Sequence, residues 1–127
     1  MGERGVQPRD LKASVELVSV ALKSAVSDQR GRWVLGPHPE ATSEHRIRAR
    51  LRGGTRSYVI DRLFRTTEGV RWIVDYKTSH HEGSGLDSFL DRERERYASQ
   101  LSVYAELIPQ SRQGLYFAVL KGWRELP

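Results

Sequence analysis

What most limits the fold of this chain is the passage from residue 86 to residue 120. From about Leu86 to Ile108 apolar residues recur at helical spacing, with Leu90, Tyr97, Leu101, Tyr104 and Ile108 on one stripe. Pro109 and Gly114 punctuate its end, and LYFAVL (115–120) follows as an unbroken apolar run of strand length. Such a run reads as a strand covered on both faces. A strand that arrives after a long helix enters its sheet by a crossover. Upstream, SYVIDRLF (57–64) and VRWIVDYK (70–77) are strand patterns joined by TTEG, which suits a hairpin. Helix, three or four strands, helix and strand together predict an α/β sandwich, a small mixed central sheet flanked by helices.

The rest of the chain fits that plan. Its 127 residues suffice for one core and not two, so residues 10–127 are expected to form a single domain behind a flexible leader, 1–9. Asp10 suits an N-cap, and Leu11, Val15, Val18, Leu22 and Ala25 keep helical spacing to about Ser27. DQRG reads as a turn, RWVL (32–35) as a short strand and GPHPEATS (36–43) as a loop. EHRIRARL (44–51) alternates, with His45, Ile47, Ala49 and Leu51 on one face and Glu44, Arg46, Arg48 and Arg50 on the other. That is a half-exposed strand with a basic outer face. RGGT (52–55) makes a turn, SHHEGSG (79–85) a polar loop, and DRERER a solvated helical surface.

Composition removes several function classes. With no cysteine there is neither a disulfide framework nor a thiolate zinc site, and a reducing cytosol is a natural setting. No apolar run approaches a membrane span, so no membrane partner is expected, and MGERGVQPRD is too polar for a signal peptide. The net charge of +5 favours a polyanionic partner, of which nucleic acid is the usual one.

The chemistry concentrates in IVDYKTS (73–79). Asp75 and Lys77 stand in an apolar strand, where charge is costly unless paired, bound to metal or used. They lie two apart and so share a face. A 57–64/70–77 hairpin brings Asp61, between Ile60 and Arg62, close to Asp75. Two crowded carboxylates repel unless a cation lies between them, and such oxygen-rich sites suit Mg²⁺ or Mn²⁺. The lysine would then position a water, help deprotonate it, or stabilise charge on a phosphate. The residues leave a structural alternative open: Asp61 paired with a surface arginine, and Asp75 with Lys77 at a strand end. D-x-K alone is a weak pattern.

Three segments in order strengthen the chemical reading: YVIDRLF with Asp61, IVDYKTS with Asp75 and Lys77, and QLSVY with Gln100 and Tyr104. They resemble the G/V-x-x-D-R, D-Y-K-T and Q-x-x-x-Y motifs of the RecB-type branch of the PD-(D/E)xK nuclease superfamily. The likeness is to the nuclease domain at the C-terminus of UvrD-like helicase–nucleases of the RecB and AddA kind. It runs from about residue 10 to residue 121. The resemblance implies a restriction-endonuclease-like sandwich and a divalent-metal-dependent deoxyribonuclease. It further implies DNA end-processing in double-strand-break repair, a helicase domain or subunit as partner, and a bacterial cytosol near the nucleoid.

By position, the resemblance makes Asp61 and Asp75 the metal-binding carboxylates. The backbone carbonyl of Tyr76 completes the metal shell, Lys77 is the catalytic lysine, and Mg²⁺ is the cofactor, with Mn²⁺ as a substitute. Gln100 and Tyr104, one helical turn apart, would face the active site and the DNA. Their structural alternative is a core tyrosine beside a glutamine that satisfies a local backbone group. An upstream metal ligand is expected at Glu44 first, His45 second, with His38 a further candidate; His80 and His81 read mainly as loop residues. Arg46, Arg48 and Arg50, with Arg52 and Arg56, would neutralise phosphates. They equally suit a solvated sheet face or a surface toward a neighbouring domain. The contrasting function is a catalytically silent nuclease-like module that binds DNA or a partner. Loss of a carboxylate or the lysine would favour it, and all three are present.

Overall fold

The computed structural model describes residues 19–51 and 53–126. The expected leader, the first part of the expected N-terminal helix and Arg52 lie outside the described residues. Helix α1 (residues 19–26) leads into α2 (Gln29–Leu35). Strands β1 (Thr42–Leu51), β2 (Gly54–Arg65) and β3 (Arg71–Lys77) follow, then helix α3 (Leu86–Leu107) and strands β4 (Ser111–Phe117) and β5 (Gly122–Glu125).

The five strands form one sheet in the order β1-β2-β3-β4-β5. β1, β2 and β3 make an antiparallel meander, β4 joins β3 in parallel, and β5 returns antiparallel. The parallel pair is the one joined through α3, as a crossover requires. The β2–β3 hairpin turns at Thr66–Gly69: the Thr66 N–H donates to the Val70 carbonyl, and Gly69 takes a φ of +92°. The protein is thus an α/β fold around a mixed sheet.

Helices cover both faces. Ala21 and Ala25 of α1 and Val34 of α2 pack on Phe64, Trp72, Val74 and Tyr116. Leu90, Leu101 and Tyr104 of α3 pack on Ile60, Ile73, Leu115 and Phe117. Burying these apolar faces supplies the main stabilisation, at about 25 cal/mol per Å² of apolar surface.

Three expectations are corrected. RWVL is not a strand: it ends α2, whose N-cap Asp28 accepts from the Gly31 N–H at 3.2 Å. The helix seats Trp33 edge-on against Phe64, Trp72 and Trp123, with centroids 5.2–5.7 Å away. Tertiary packing outweighs the strand propensity of Trp and Val. Gly31, expected in a turn, lies inside the helix because a Cβ there would press on the Tyr116 hydroxyl and the Ala25 carbonyl. Gly114 does not end α3; it lies within β4, where the Trp123 ring covers it. β4 therefore starts earlier than 115–120 and ends at Phe117, and β5 was not anticipated.

Candidate active site

Pairing between β2 and β3 runs from Arg65↔Arg71 to Arg62↔Val74 and stops there. Beyond that row β2 pairs only with β1, to Leu51↔Gly54, and β3 only with β4, to Lys77↔Phe117. The sheet therefore forks. Asp61 and Asp75 are the first residues past the fork, facing one another by continuation of the register.

The fork coincides with a break in alternation. Arg62 and Phe64 turn toward α2, whereas Tyr58 and Ile60, also even-numbered, pack on the α3 side. In β1 the residue opposite Asp61 is Glu44, which the β1–β2 pairing skips and which takes a φ of +51°. A non-glycine residue at positive φ inside a strand is strained backbone and reshapes the sheet locally. Glu44, Asp61 and Asp75 thus occupy one row across three strands.

At the fork Asp61 Oδ2 accepts from the Tyr76 N–H at 2.8 Å. That amide takes a carboxylate where a regular ladder would offer it a carbonyl of β2. The Asp75 carboxyl lies close enough to act on Asp61. Burial pushes Asp61 up to about 7, the contact with Asp75 adds to the rise, and the Tyr76 N–H and Lys77 oppose it. Asp75, only 4% exposed, pairs with Lys77 Nζ at 2.8 Å. The same ammonium lies 3.6 Å from the centroid of the Tyr97 ring of α3.

Gln100 and Tyr104 stand farther along α3. Gln100, exposed, donates through Nε2 to the Tyr104 hydroxyl at 3.1 Å, and Tyr104, buried, donates to the Val59 carbonyl of β2 at 3.0 Å. Burial raises the Tyr104 hydroxyl above its ordinary range, and the Asp75 and Asp61 charges add to the rise. That electrostatic link ties the pair to the acids. Tyr104 is both a core residue and a neighbour of the site.

Most of the other candidates have partners outside this centre, and His45 lies one position past the row. His38 stacks on Phe64 with centroids 4.1 Å apart and bonds through Nε2 to the Trp33 carbonyl, on the α2 face of the sheet. His45 lies opposite Ile60. His81 stacks on Phe89 and meets the Ser84 carbonyl, and His80 is exposed in the same loop. Arg46, Arg48 and Arg50 are exposed on β1. Arg62 does not neutralise Asp61; it holds the Val34 and Gly36 carbonyls and Ser43 Oγ.

Two residues of the neighbourhood were not anticipated in these roles. Tyr97 was read only as part of the apolar stripe. Glu93, inside the charged DRERER run, is buried on α3 beside Ser79 Oγ at 3.4 Å and Arg96. Tyr97 and Glu93 lie i,i+4 on a helix, and that spacing was the available signal for a shared inward face.

Two facing carboxylates, a backbone amide turned into the gap and an adjacent lysine define a centre able to hold a hard cation or a proton. Among the described residues, no group of three or more His, Asp or Glu side chains gathers closely enough to hold a metal ion. No family model matches the chain, and no curated protein matches it. Among the described residues, no helix is long and apolar enough to cross a membrane.

Proposed function

We propose that this chain is a divalent-metal-dependent deoxyribonuclease of the RecB-type PD-(D/E)xK branch, with a restriction-endonuclease-like fold. The observation that carries the reading is the pair of facing carboxylates at the sheet fork, with Lys77 within ion-pair distance of Asp75. Nothing in folding requires two acids to meet where one is pushed to about 7; a cation between them relieves the repulsion. The donor set fits Mg²⁺, which is bound through one or two carboxylates, keeps several waters and takes the rest from phosphate. Mn²⁺ takes the same oxygen donors.

Asp61 and Asp75 would hold the ion, with the Tyr76 carbonyl completing the shell and Glu44, on the same row, as the upstream ligand. When bound, the metal lowers the pKa of a water and stabilises charge on the phosphate. Lys77, held by Asp75 and Tyr97, orients or deprotonates the attacking water. Gln100 and Tyr104 line the α3 side and position DNA. Arg46, Arg48 and Arg50 contribute phosphate contacts. The setting we propose is end-processing in double-strand-break repair beside a helicase domain or subunit, in a bacterial cytosol at the nucleoid.

The test is cleavage of labelled linear duplex and single-stranded DNA with Mg²⁺, Mn²⁺ or EDTA, beside Asp75→Asn and Lys77→Ala. Metal-dependent cutting that both substitutions abolish is expected. Folded protein that neither cuts nor binds metal by calorimetry sinks the nuclease. It would leave the silent binding module, in which Lys77–Asp75 is a structural ion pair.

A further inference from the structure

Past the fork, β1 and β2 continue as a two-stranded arm with no third strand beside them among the described residues. Pairing runs from His45↔Ile60 to Leu51↔Gly54. The arm leaves the sheet at the end that carries Lys77, because β2 runs antiparallel to β3. One face, with Ile47 and Tyr58, turns toward α3. The other carries Arg46, Arg48 and Arg50, all exposed, with Val59, Ser57 and Thr55 as their cross-strand partners.

Three features of that face stand out. Residues 45–60 contain no acidic residue. Among the described residues, Arg46, Arg48 and Arg50 make no ion pair, whereas Arg94, Arg96, Arg112 and Arg124 elsewhere are each paired with carboxylates. The partners opposite Arg48 and Arg50 are the small hydroxyl residues Ser57 and Thr55, and no aromatic ring shares the face. Tyr58 stands on the other face, edge-on to Tyr104.

We propose that this arm is a duplex-DNA backbone reader, with Arg46, Arg48 and Arg50 tracking one strand of a double helix beside the fork. Arginine and hydroxyl side chains are phosphate-contact chemistry. Proteins that grip single strands present aromatic platforms for the bases, and this face has none. A two-stranded ribbon also has the dimensions a duplex groove admits. At about 3.4 Å per residue, Arg46 stands ~7 Å and Arg50 ~20 Å beyond the row of Glu44, Asp61 and Asp75. The arm therefore covers roughly six nucleotides at ~3.4 Å each on one side of that row. The inference rests on the nuclease reading only in taking DNA as the polyanion.

The experiment is fluorescence anisotropy in EDTA, with a 20-base-pair duplex and a single strand of the same sequence, over a series of salt concentrations. The triple variant Arg46→Gln, Arg48→Gln, Arg50→Gln is compared with the unaltered protein and with the triple Arg→Lys variant. Circular dichroism checks that each is folded. Each phosphate contact on a duplex contributes ~0.9 to the salt slope, so the Gln variant should lose about 2.7 of slope, and the Lys variant should keep most of it. The loss should be larger on duplex than on single strand. A slope changed by less than about one overturns the proposal, as does a loss confined to single-stranded DNA or no duplex binding by the unaltered protein. The first result would assign the arginines to another anionic surface, such as an acidic protein. Because EDTA removes turnover, the two readings fail separately. Arm-dependent binding without metal-dependent cleavage overturns the nuclease alone, and cleavage with arm-independent binding overturns the arm alone.

Discussion

The ammonium of Lys77 lies between the carboxylate of Asp75, 2.8 Å away, and the face of the Tyr97 ring, 3.6 Å from its centroid. The ring shields the cation from water without offering it a hydrogen-bond acceptor, and the carboxylate fixes its direction. A desolvated cation–π contact is worth up to about 2 kcal/mol. Tyr97→Phe keeps the ring and is expected to keep cleavage within about twofold. Tyr97→Leu removes it and is expected to cost about ten- to thirty-fold in single-turnover cleavage, since each 1.4 kcal/mol is a factor of ten. Rescue by Phe, with melting points recorded for both, separates positioning of Lys77 from loss of packing.

Asp61 supplies a pH dependence. Burial and the neighbouring Asp75 push its carboxyl up to about 7, well above the ordinary carboxylate value of 3.8. Between those values the folded protein holds a proton that the unfolded chain has released. Metal-free stability from this group is therefore full below about pH 4 and is lost as pH rises through 7. Urea melts in EDTA should show that decline, and Asp61→Asn should flatten it. The Tyr76 amide, bonded to the same carboxylate, should shift in NMR spectra with a midpoint near 7. Mg²⁺ competes with that proton, so its apparent affinity should strengthen up to the same pH.

The glutamine and tyrosine of α3 should separate function from stability. Gln100 is exposed and, among the described residues, its side chain bonds to the Tyr104 hydroxyl alone. Gln100→Ala is expected to change stability by no more than about 0.5 kcal/mol, yet to lower cleavage. Tyr104→Phe leaves the Val59 carbonyl without its donor. It should cost about 1 kcal/mol of stability. Chemical denaturation beside cleavage rates checks both.

Gly31 tests the opposite face. A Cβ there would stand 2.5 Å from the Tyr116 hydroxyl and closer still to the Ala25 carbonyl. The same hydroxyl donates to the N-cap Asp28 at 2.8 Å, so a shift of α2 would loosen its own cap. Gly31→Ala is expected to cost about 1–3 kcal/mol, as overpacking does. The melting point should drop by several degrees, with little change in cleavage by the folded fraction.

Much of the architecture was legible because it rests on periodicity. The stripe on α3, the alternation of β1 and the TTEG turn each carry their own pattern. What was illegible depended on contacts between segments far apart in the chain. Asp28 and Gly31 both read as parts of a turn, and only the distant Tyr116 supplies a reason for a glycine inside a helix. The proximity of Asp61 and Asp75 followed from the hairpin. The fork did not, and neither did the left-handed Glu44 that stands on its row in a third strand, because no local signal marks a glutamate for that conformation. Tyr97 was hidden in an apolar stripe, where a ring that covers a cation and one that only fills space leave the same trace.

β3 is the third of five strands, with neighbours on both sides and a helical layer on each face. Exposing Ile73, which is flanked by β2 on one side and β4 on the other, therefore means separating whole layers, which is close to unfolding the protein. The arm has one partner for each strand and an open face, so it opens at little cost. Amide hydrogen exchange should be slower at Ile73 than at residues 46–50 of the arm. A rigid centre beside a pliant arm lets a long, irregular polymer be accommodated at the periphery while the acids and the lysine keep their spacing.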